Sequence, residues 1–228
     1  MAALDHIDDC LRDIDPEFLS SACIAAAWEY RRLYDELAEN ADFSDEYRNE
    51  QFNRRRGDCL VKALCFAAKK HGVPFEFLSL GSNGQAKLLL KCGRVTIIQE
   101  PILSLKDAPR SADYKVELAN AHGVVRQLEF DLGDLPGRVL DWDGRVLGVV
   151  LHGPAGQHFD EDDRALGTLM LGIPDAAYSH WVVRVDLHNV AMEGLRAHKP
   201  DPAPTPPDGS TQPDNVTVTL KRNSKKAV

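Results

Sequence analysis

The sequence predicts an α+β protein in which N-terminal helices and one buried helix pack on an antiparallel sheet. Residues 1–56 carry apolar side chains at helical spacing, whereas residues 57–196 hold one strongly marked helix followed by short strand-like segments between turn residues. Helices that come first and strands that follow are typical of α+β proteins. Residues 197–228 are rich in proline among Asp, Thr and Ser, which predicts a disordered tail.

The composition is that of an ordinary globular chain. Its 228 residues are 43% hydrophobic and 27% charged, which excludes collagen-like, mucin-like and wholly disordered proteins. The formal net charge of −8 lacks the basic footprint of a general nucleic-acid binder. Apolar runs are too short for a membrane span, and the acidic start is unlike a signal peptide, so we expect a cytoplasmic protein without a membrane partner.

The cysteines indicate reduced thiols and no metal site. An odd number of cysteines without a signal peptide does not suggest a disulfide framework. Cys59 and Cys65 are too far apart in sequence for the paired spacing of zinc ligands, and Cys10, Cys23 and Cys92 are scattered. We therefore expect no metal and no cofactor.

Two amphipathic helices are expected in the N-terminal region. Asp15 followed by Pro16 predicts the start of a helix that continues over residues 17–38. A second, shorter helix is predicted from Ser44, its cap, to Asn53. The apolar faces of these helices dock either on the protein's own sheet or on a protein partner.

The next helix is predicted to begin at Cys59. Apolar residues recur at helical spacing along it, and it is closed by His71, Gly72 and Pro74. Cys59 would then lie in the first helical turn, beside Arg54–Arg56. The helix dipole and these cations would lower the pKa of its thiol.

The remaining elements are mostly strands. Strands are predicted over residues 75–80, 86–91, 94–99, 124–131, 138–142, 145–152 and 178–186. An Asp143-Gly144 turn joins two of them as a hairpin, and short helices are predicted near residues 116–121 and over 160–171. Gly81–Gly84 is a turn before a strand, too short for a phosphate-binding loop.

A cysteine at a helix start and a distant histidine on a strand form the arrangement that thiol catalysis uses. Cys59 is the candidate nucleophile, with first-turn N–H groups holding an oxyanion. His180, at the start of a strong strand, is the candidate base; His152 or His158 could replace it, and His188 is a weaker choice. A packed, inert thiol at Cys59 and a core histidine at His180 are the structural alternatives.

Two stretches resemble papain-like cysteine peptidases. Gly57-Asp58-Cys59-Leu60, closed by His71-Gly72-Val73-Pro74, resembles their nucleophile helix, most closely in the bacteriocin-processing and viral or ovarian-tumour-type branches. Ser179-His180-Trp181-Val182-Val183 resembles their histidine strand. The resemblance implies a papain-like fold and hydrolysis of amide or isopeptide bonds in a protein or peptide substrate, through an acyl-enzyme on Cys59 with His180 as base.

The resemblance also implies an amide side chain that precedes the cysteine and assists the oxyanion hole. Asn53 has the nearer spacing, and Gln51 is the alternative. The third catalytic residue stays open, because Asp186 and Asn189 are far along the strand from His180. Other acidic residues could approach His180 only through folding; these candidates are Asp141, Asp143, Asp160 and Asp162. A plain dyad of Cys59 and His180 is the alternative.

Other readings of the sequence remain. The run Asp160–Asp163 lacks the spacing of a calcium loop and is better explained as a solvated helix start. A transglutaminase-like amide chemistry is a variant of the thiol hypothesis. The rival to any enzyme is a bacterial or viral effector or inhibitor that binds a protein partner through residues 1–50 or the tail. The basic end, Lys221–Lys226, is the one segment that suits nucleic acid.

Overall fold

Helices and one mixed sheet make up the fold. The structure, a computed structural model, describes residues 2–80, 85–104, 106–121 and 145–197. The helices are α1 (Ala2–Leu11), α2 (Pro16–Ala38), α3 (Asp45–His71), α4 (Asp113–Ala121) and α5 (Leu187–Ala197). The strands are β1 (Phe75–Leu80), β2 (Gln85–Cys92), β3 (Val95–Pro101), β4 (Val146–Pro154), β5 (Leu166–Pro174) and β6 (Trp181–Asp186). The predicted α+β class is confirmed.

Some predictions lie outside the described residues. These are the strands over 124–131 and 138–142, the turns at Gly81–Gly84 and Asp143-Gly144, the candidate residues Asp141 and Asp143, and the tail with its basic end at Lys221–Lys226.

The sheet is mixed, which corrects the expectation of an antiparallel sheet. Its six strands follow the order β1-β2-β3-β4-β5-β6. Every neighbouring pair is antiparallel except β3 and β4, which run parallel with Val95 opposite Val146. Parallel neighbours need a long crossover, and the chain between β3 and β4 includes α4.

The two faces of the sheet are covered by different elements. Side chains alternate along β3, so that Val95 and Ile97 join the core under α2 and α3, whereas Ile98 belongs to a second cluster. That second cluster includes Ala119 of α4 and Tyr178 from the connection between β5 and β6. Helices α2 and α3 therefore cover one face of the sheet, and α4 covers the other.

Helix α2 forms where the sequence predicts it. The Asp15 carboxylate accepts a hydrogen bond from the Glu17 backbone N–H at 2.9 Å, and Pro16 occupies the first turn. Both features satisfy or avoid the unpaired N–H groups at a helix start.

Helix α3 is one continuous helix of 27 residues, so the prediction of two helices is wrong. It begins at the Ser44 cap and ends at Gly72, whose φ of 68° is left-handed. Between the two predicted helices, Arg54–Arg56 are good helix formers and Gly57 is tolerated. An Arg54–Glu50 ion pair one turn apart supports the same stretch. The predicted domain boundary at residue 56 falls inside this helix.

The predicted helix over 160–171 is also wrong. Leu169, Leu171 and Ile173 alternate into the core as part of β5. The acidic residues before them form a turn instead, in which the Asp163 carboxylate accepts hydrogen bonds from the backbone of Gln157 and His158.

Helix α5 follows β6 without being predicted. The Asp186 carboxylate accepts hydrogen bonds from the backbone N–H groups of His188 at 2.8 Å and Asn189 at 3.2 Å. Asp186 is therefore a helix cap, which explains its position at the end of the strand. In the part of the chain that the structure describes, no helix is long and apolar enough to cross a membrane.

Continuity of α3 predicts that Gly57→Ala stabilises the protein by about 0.5–1 kcal/mol, because glycine is the poorer helix former. An added Cβ has room, since its nearest neighbour would be Gln99 Nε2 at 3.9 Å. Denaturant unfolding measures the change. The control, Gly72→Ala, should lower the free energy of unfolding by about 1 kcal/mol because of its left-handed φ. A loss of stability in Gly57→Ala would contradict a continuous helix.

Candidate functional site

Cys59 lies in the interior of α3, where it faces α2. Its side chain is 4% exposed and belongs to a buried cluster with Tyr30, Leu33, Leu37 and Phe52. A helix dipole acts within the first turn, so it does not reach this thiol. Burial raises the pKa of Cys59 to about 11, although nearby cations oppose the shift. The thiol is therefore protonated at neutral pH, and the prediction that Cys59 sits at a helix start is wrong.

A small groove opens above this thiol. It measures about 90 Å³ and lies between α2 and α3, with Cys59 at its floor. Its other lining residues are mostly charged: Arg32, Leu33, Glu36, Arg55, Asp58 and Lys62. Arg55 and Glu36 close one end with an ion pair at 2.7 Å.

His180 lies elsewhere, in the connection between β5 and β6. Its side chain is 69% exposed, which also excludes the core-histidine alternative. Its Nδ1 lies 3.1 Å from Ser179 Oγ and 3.4 Å from Asp175 Oδ2. The Ser179 hydroxyl donates to Asp175 at 2.8 Å, so these three residues form a local turn rather than a relay through the imidazole.

Hydrogen bonds hold this turn. The Asp175 carboxylate accepts from the backbone N–H groups of Ser179 at 2.6 Å and His180 at 3.0 Å. Burial by itself raises the pKa of Asp175, but these hydrogen bonds hold it below its ordinary value.

The same connection is anchored on the sheet face opposite α3. Tyr178 is buried there with a φ of 53°, and its hydroxyl donates to Glu100 at 2.8 Å. Lys115 of α4 donates to the same carboxylate at 2.6 Å. Since Cys59 belongs to the helical layer, the structure does not bring Cys59 and His180 together.

The two amide candidates share a helix with the cysteine. Asn53 and Gln51 precede Cys59 along α3, at a rise of about 1.5 Å per residue. That places them roughly 9 Å and 12 Å along the axis from Cys59. Neither is positioned to complete an oxyanion hole at its thiol.

The histidines that could replace His180 as the base either have other hydrogen-bond partners or lie exposed on α5. His152 is fully buried; the Tyr30 hydroxyl donates a hydrogen bond to Nδ1 at 2.5 Å, and Nε2 donates one to Gln99 Oε1 at 3.1 Å. Burial lowers the pKa of His152 to about 3, so the ring stays neutral. His158 pairs with Asp163 at 2.9 Å in an exposed turn, and His188 is exposed on α5.

Arg56 adds a buried cation to this region. It is 3% exposed, and its Nη1 donates to the Ile102 carbonyl at 3.0 Å. Burial lowers its pKa, and its Nε has no hydrogen-bond partner among the described residues. Sequence reasoning missed this arginine, although the spacing of Arg56, Leu60, Ala63 and Ala67 places it on the buried face of α3.

One cluster has metal-ligand chemistry. Ligand atoms of His158, Asp160 and Asp163 lie within 4.8 Å of one another. The Asp163 carboxylate already accepts the backbone hydrogen bonds of the turn, and Asp160 accepts from the Asp163 N–H at 2.8 Å. These contacts account for the three residues as a turn, and we assign no cation to them.

An apolar patch lies on the outer side of α2 and α3. It consists of Ile24, Trp28 and Phe66, which are 70%, 60% and 58% exposed. The two helices run antiparallel, since Ser21 Oγ and His71 Nε2 are 2.8 Å apart at one end and Arg55 pairs with Glu36 towards the other. This register sets Phe66 level with the turn of α2 between Ile24 and Trp28.

Cations surround the apolar patch. The Arg32 guanidinium lies over the Trp28 ring, 5.3 Å from its centroid. On α3, Lys62, Lys69 and Lys70 stand one helical turn before or after Phe66 and are exposed. We call these four residues the cationic rim.

Comparisons with known proteins add nothing to this geometry. No protein-family model matches the chain, and no curated protein or solved structure is significantly similar to it. The functional argument therefore rests on the chain's own residues.

Burial of Cys59 predicts slow alkylation. Iodoacetamide should label Cys59 more slowly than the partly exposed Cys65, with a rate that rises towards pH 11, because only the thiolate reacts. Mass spectrometry of the folded protein across pH measures this. His180→Ala should leave the rate unchanged. Selective labelling below pH 7 that His180→Ala weakens would contradict this arrangement and restore the thiol hydrolase.

The neutral state of His152 predicts acid sensitivity. Its pKa is about 3 in the folded protein, below the ordinary value of 6.5, so the unfolded state binds a proton at a pH at which the folded state does not. The contribution of neutral His152 to the free energy of unfolding is complete above pH 6.5 and is lost as the pH falls towards 3. We expect stability to fall more steeply over this range in the wild type than in His152→Gln, by up to about 1.4 kcal/mol per pH unit. Equal slopes in denaturant titrations would contradict a neutral His152.

Proposed function

We propose that this protein is a non-enzymatic binding protein that docks a protein partner on the apolar patch of α2 and α3. The observation that carries the proposal is the exposure of Ile24, Trp28 and Phe66 side by side on two packed helices. Contiguous exposed apolar surface marks interaction sites, and the centres of protein interfaces are enriched in aromatic residues and arginine.

The patch stands on a rigid support. Opposite Trp28, the inner side of α2 buries Ala26 and Tyr30, and Tyr30 is hydrogen-bonded to His152 of β4. A buried cluster that includes Leu33 of α2 and Phe52 of α3 packs the two helices together. A surface that is already ordered loses little conformational entropy on binding, which favours docking.

The chemistry of the candidate catalytic residues supports a binding role. A nucleophile and its base need to lie within hydrogen-bond reach of each other. Cys59 is a buried, protonated thiol in the helical layer, and His180 is bonded within its own turn. Among the described residues, no histidine pairs with Cys59.

A papain-like cysteine hydrolase is the second candidate. It is favoured by the two sequence motifs and by the groove that exposes the Cys59 side of α3 between Arg32, Arg55 and Lys62. These cations lower the thiol pKa, although by less than burial raises it. This candidate stays a prediction, and the alkylation experiment described above decides it.

The docking proposal predicts that the side chains of the apolar patch contribute to peptide binding but not to the stability of the fold. A displayed library of helical peptides should enrich on the immobilised full chain. The enriched pool should lose about ten-fold or more in binding to the double variant Trp28→Ala and Phe66→Ala. Both side chains are exposed, so each substitution should change the free energy of unfolding by no more than about 0.5 kcal/mol.

The matched control is Phe77→Ala. Phe77 is 52% exposed and belongs to β1 rather than to α2 or α3, so its removal tests for indiscriminate apolar binding. The pool should bind this control like the wild type. A pool that binds the double variant equally well, or a library that never enriches, would overturn the docking proposal.

A further inference from the structure

The charge around the apolar patch differs from that of the chain. The whole protein carries a net charge of −8. The cationic rim nevertheless places Lys62, Lys69 and Lys70 around Phe66, and Arg32 against Trp28. Glu29 pairs with Arg32 at 2.6 Å, and Asp58 lies one turn before Lys62, so the three lysines of the rim supply the excess of positive charge there.

The rim lysines are not neutralised by the protein itself. Among the described residues, no ion pair involves Lys62 or Lys69, and Lys70 donates only to Ser21 Oγ at 3.1 Å. The exposed arginines of α2 and α3 are paired instead, and they include Arg32 of the rim, which pairs with Glu29 at 2.6 Å. The charge of the lysines is therefore available to a partner.

The shape of the patch fits a helix. Ile24 and Trp28 are one helical turn apart on α2, and Phe66 stands beside them on the antiparallel α3. An amphipathic helix of a partner binds such a surface through apolar anchors at successive turns. The groove above Cys59 begins at Arg32 and Lys62, next to the patch, and its 90 Å³ accommodates one further side chain.

We propose that the partner segment is an acidic amphipathic helix, whose apolar face covers Ile24, Trp28 and Phe66 and whose carboxylates pair with the cationic rim. This inference rests on the proposed function. A second copy of this chain is disfavoured, because the two rims would carry like charges. An anionic lipid surface is disfavoured by the net charge of −8.

The test uses the peptides that the library yields on the full chain. Sequencing should show an excess of Glu and Asp over Lys and Arg on the polar face of the pool. Two synthetic peptides with the same apolar face, one with Glu and one with Lys on the polar face, are then compared by fluorescence anisotropy. The Glu peptide should bind about ten-fold or more tightly than the Lys peptide, and salt should weaken its binding.

A charge-reversed variant sharpens the test. In Lys62→Glu, Lys69→Glu, Lys70→Glu the preference should invert towards the Lys peptide, whereas Trp28→Ala should weaken both peptides. These variants keep the basic end at Lys221–Lys226, so electrostatic binding by that segment is the same in each. The substituted lysines are exposed, and circular dichroism verifies the fold.

The outcomes separate the two proposals. A pool that depends on Trp28 and Phe66 but is neutral or basic would overturn the acidic helix and leave the docking function standing. The acidic helix would also be overturned by a concentration-dependent dimer that Trp28→Ala abolishes. Binding to phosphatidylglycerol vesicles in place of peptides would overturn it as well. Loss of patch dependence altogether would overturn the docking function itself.

Discussion

His152 joins the helical layer to the sheet, and the rest of the architecture depends on that junction. Its ring accepts a hydrogen bond from the Tyr30 hydroxyl of α2 and donates one to the Gln99 side-chain oxygen of β3, while its own backbone belongs to β4. Buried polar groups are costly unless they are paired, so this arrangement favours one placement of α2 over the parallel strands. With the inner side of α2 held there, Trp28 and Ile24 are left on the outside.

A second buried network fixes the opposite face. Glu100 accepts hydrogen bonds from Lys115 of α4 and from Tyr178, which adopts a left-handed φ uncommon for a bulky residue. Desolvation lowers the pKa of Lys115 while the carboxylate beside it opposes that change, as in other buried ion pairs. This network holds the turn of His180 on its own side of the sheet, whereas Cys59 lies in the helical layer.

The charge around the apolar patch differs in sign from that of the whole chain. The chain is acidic as a whole, but Trp28 on α2 and Phe66 on α3 lie among cations. Apolar contact supplies the affinity of such a surface, whereas unpaired charge at its edge selects the partner and speeds its approach. Cys59 is a packed thiol that lines the groove next to this surface.

The sequence by itself determined the α+β class, α2 with its Asp15 cap, the end of α3 at Gly72 and the strands β1 to β3, because caps, turns and apolar periodicity are local signals. Only the tertiary structure decided that α3 runs unbroken past Cys59, that residues 166–174 pair as β5, and that Cys59 and His180 lie in different layers. Strand pairing, burial and the protonation states that follow from burial depend on residues distant in sequence, and no local pattern contains them.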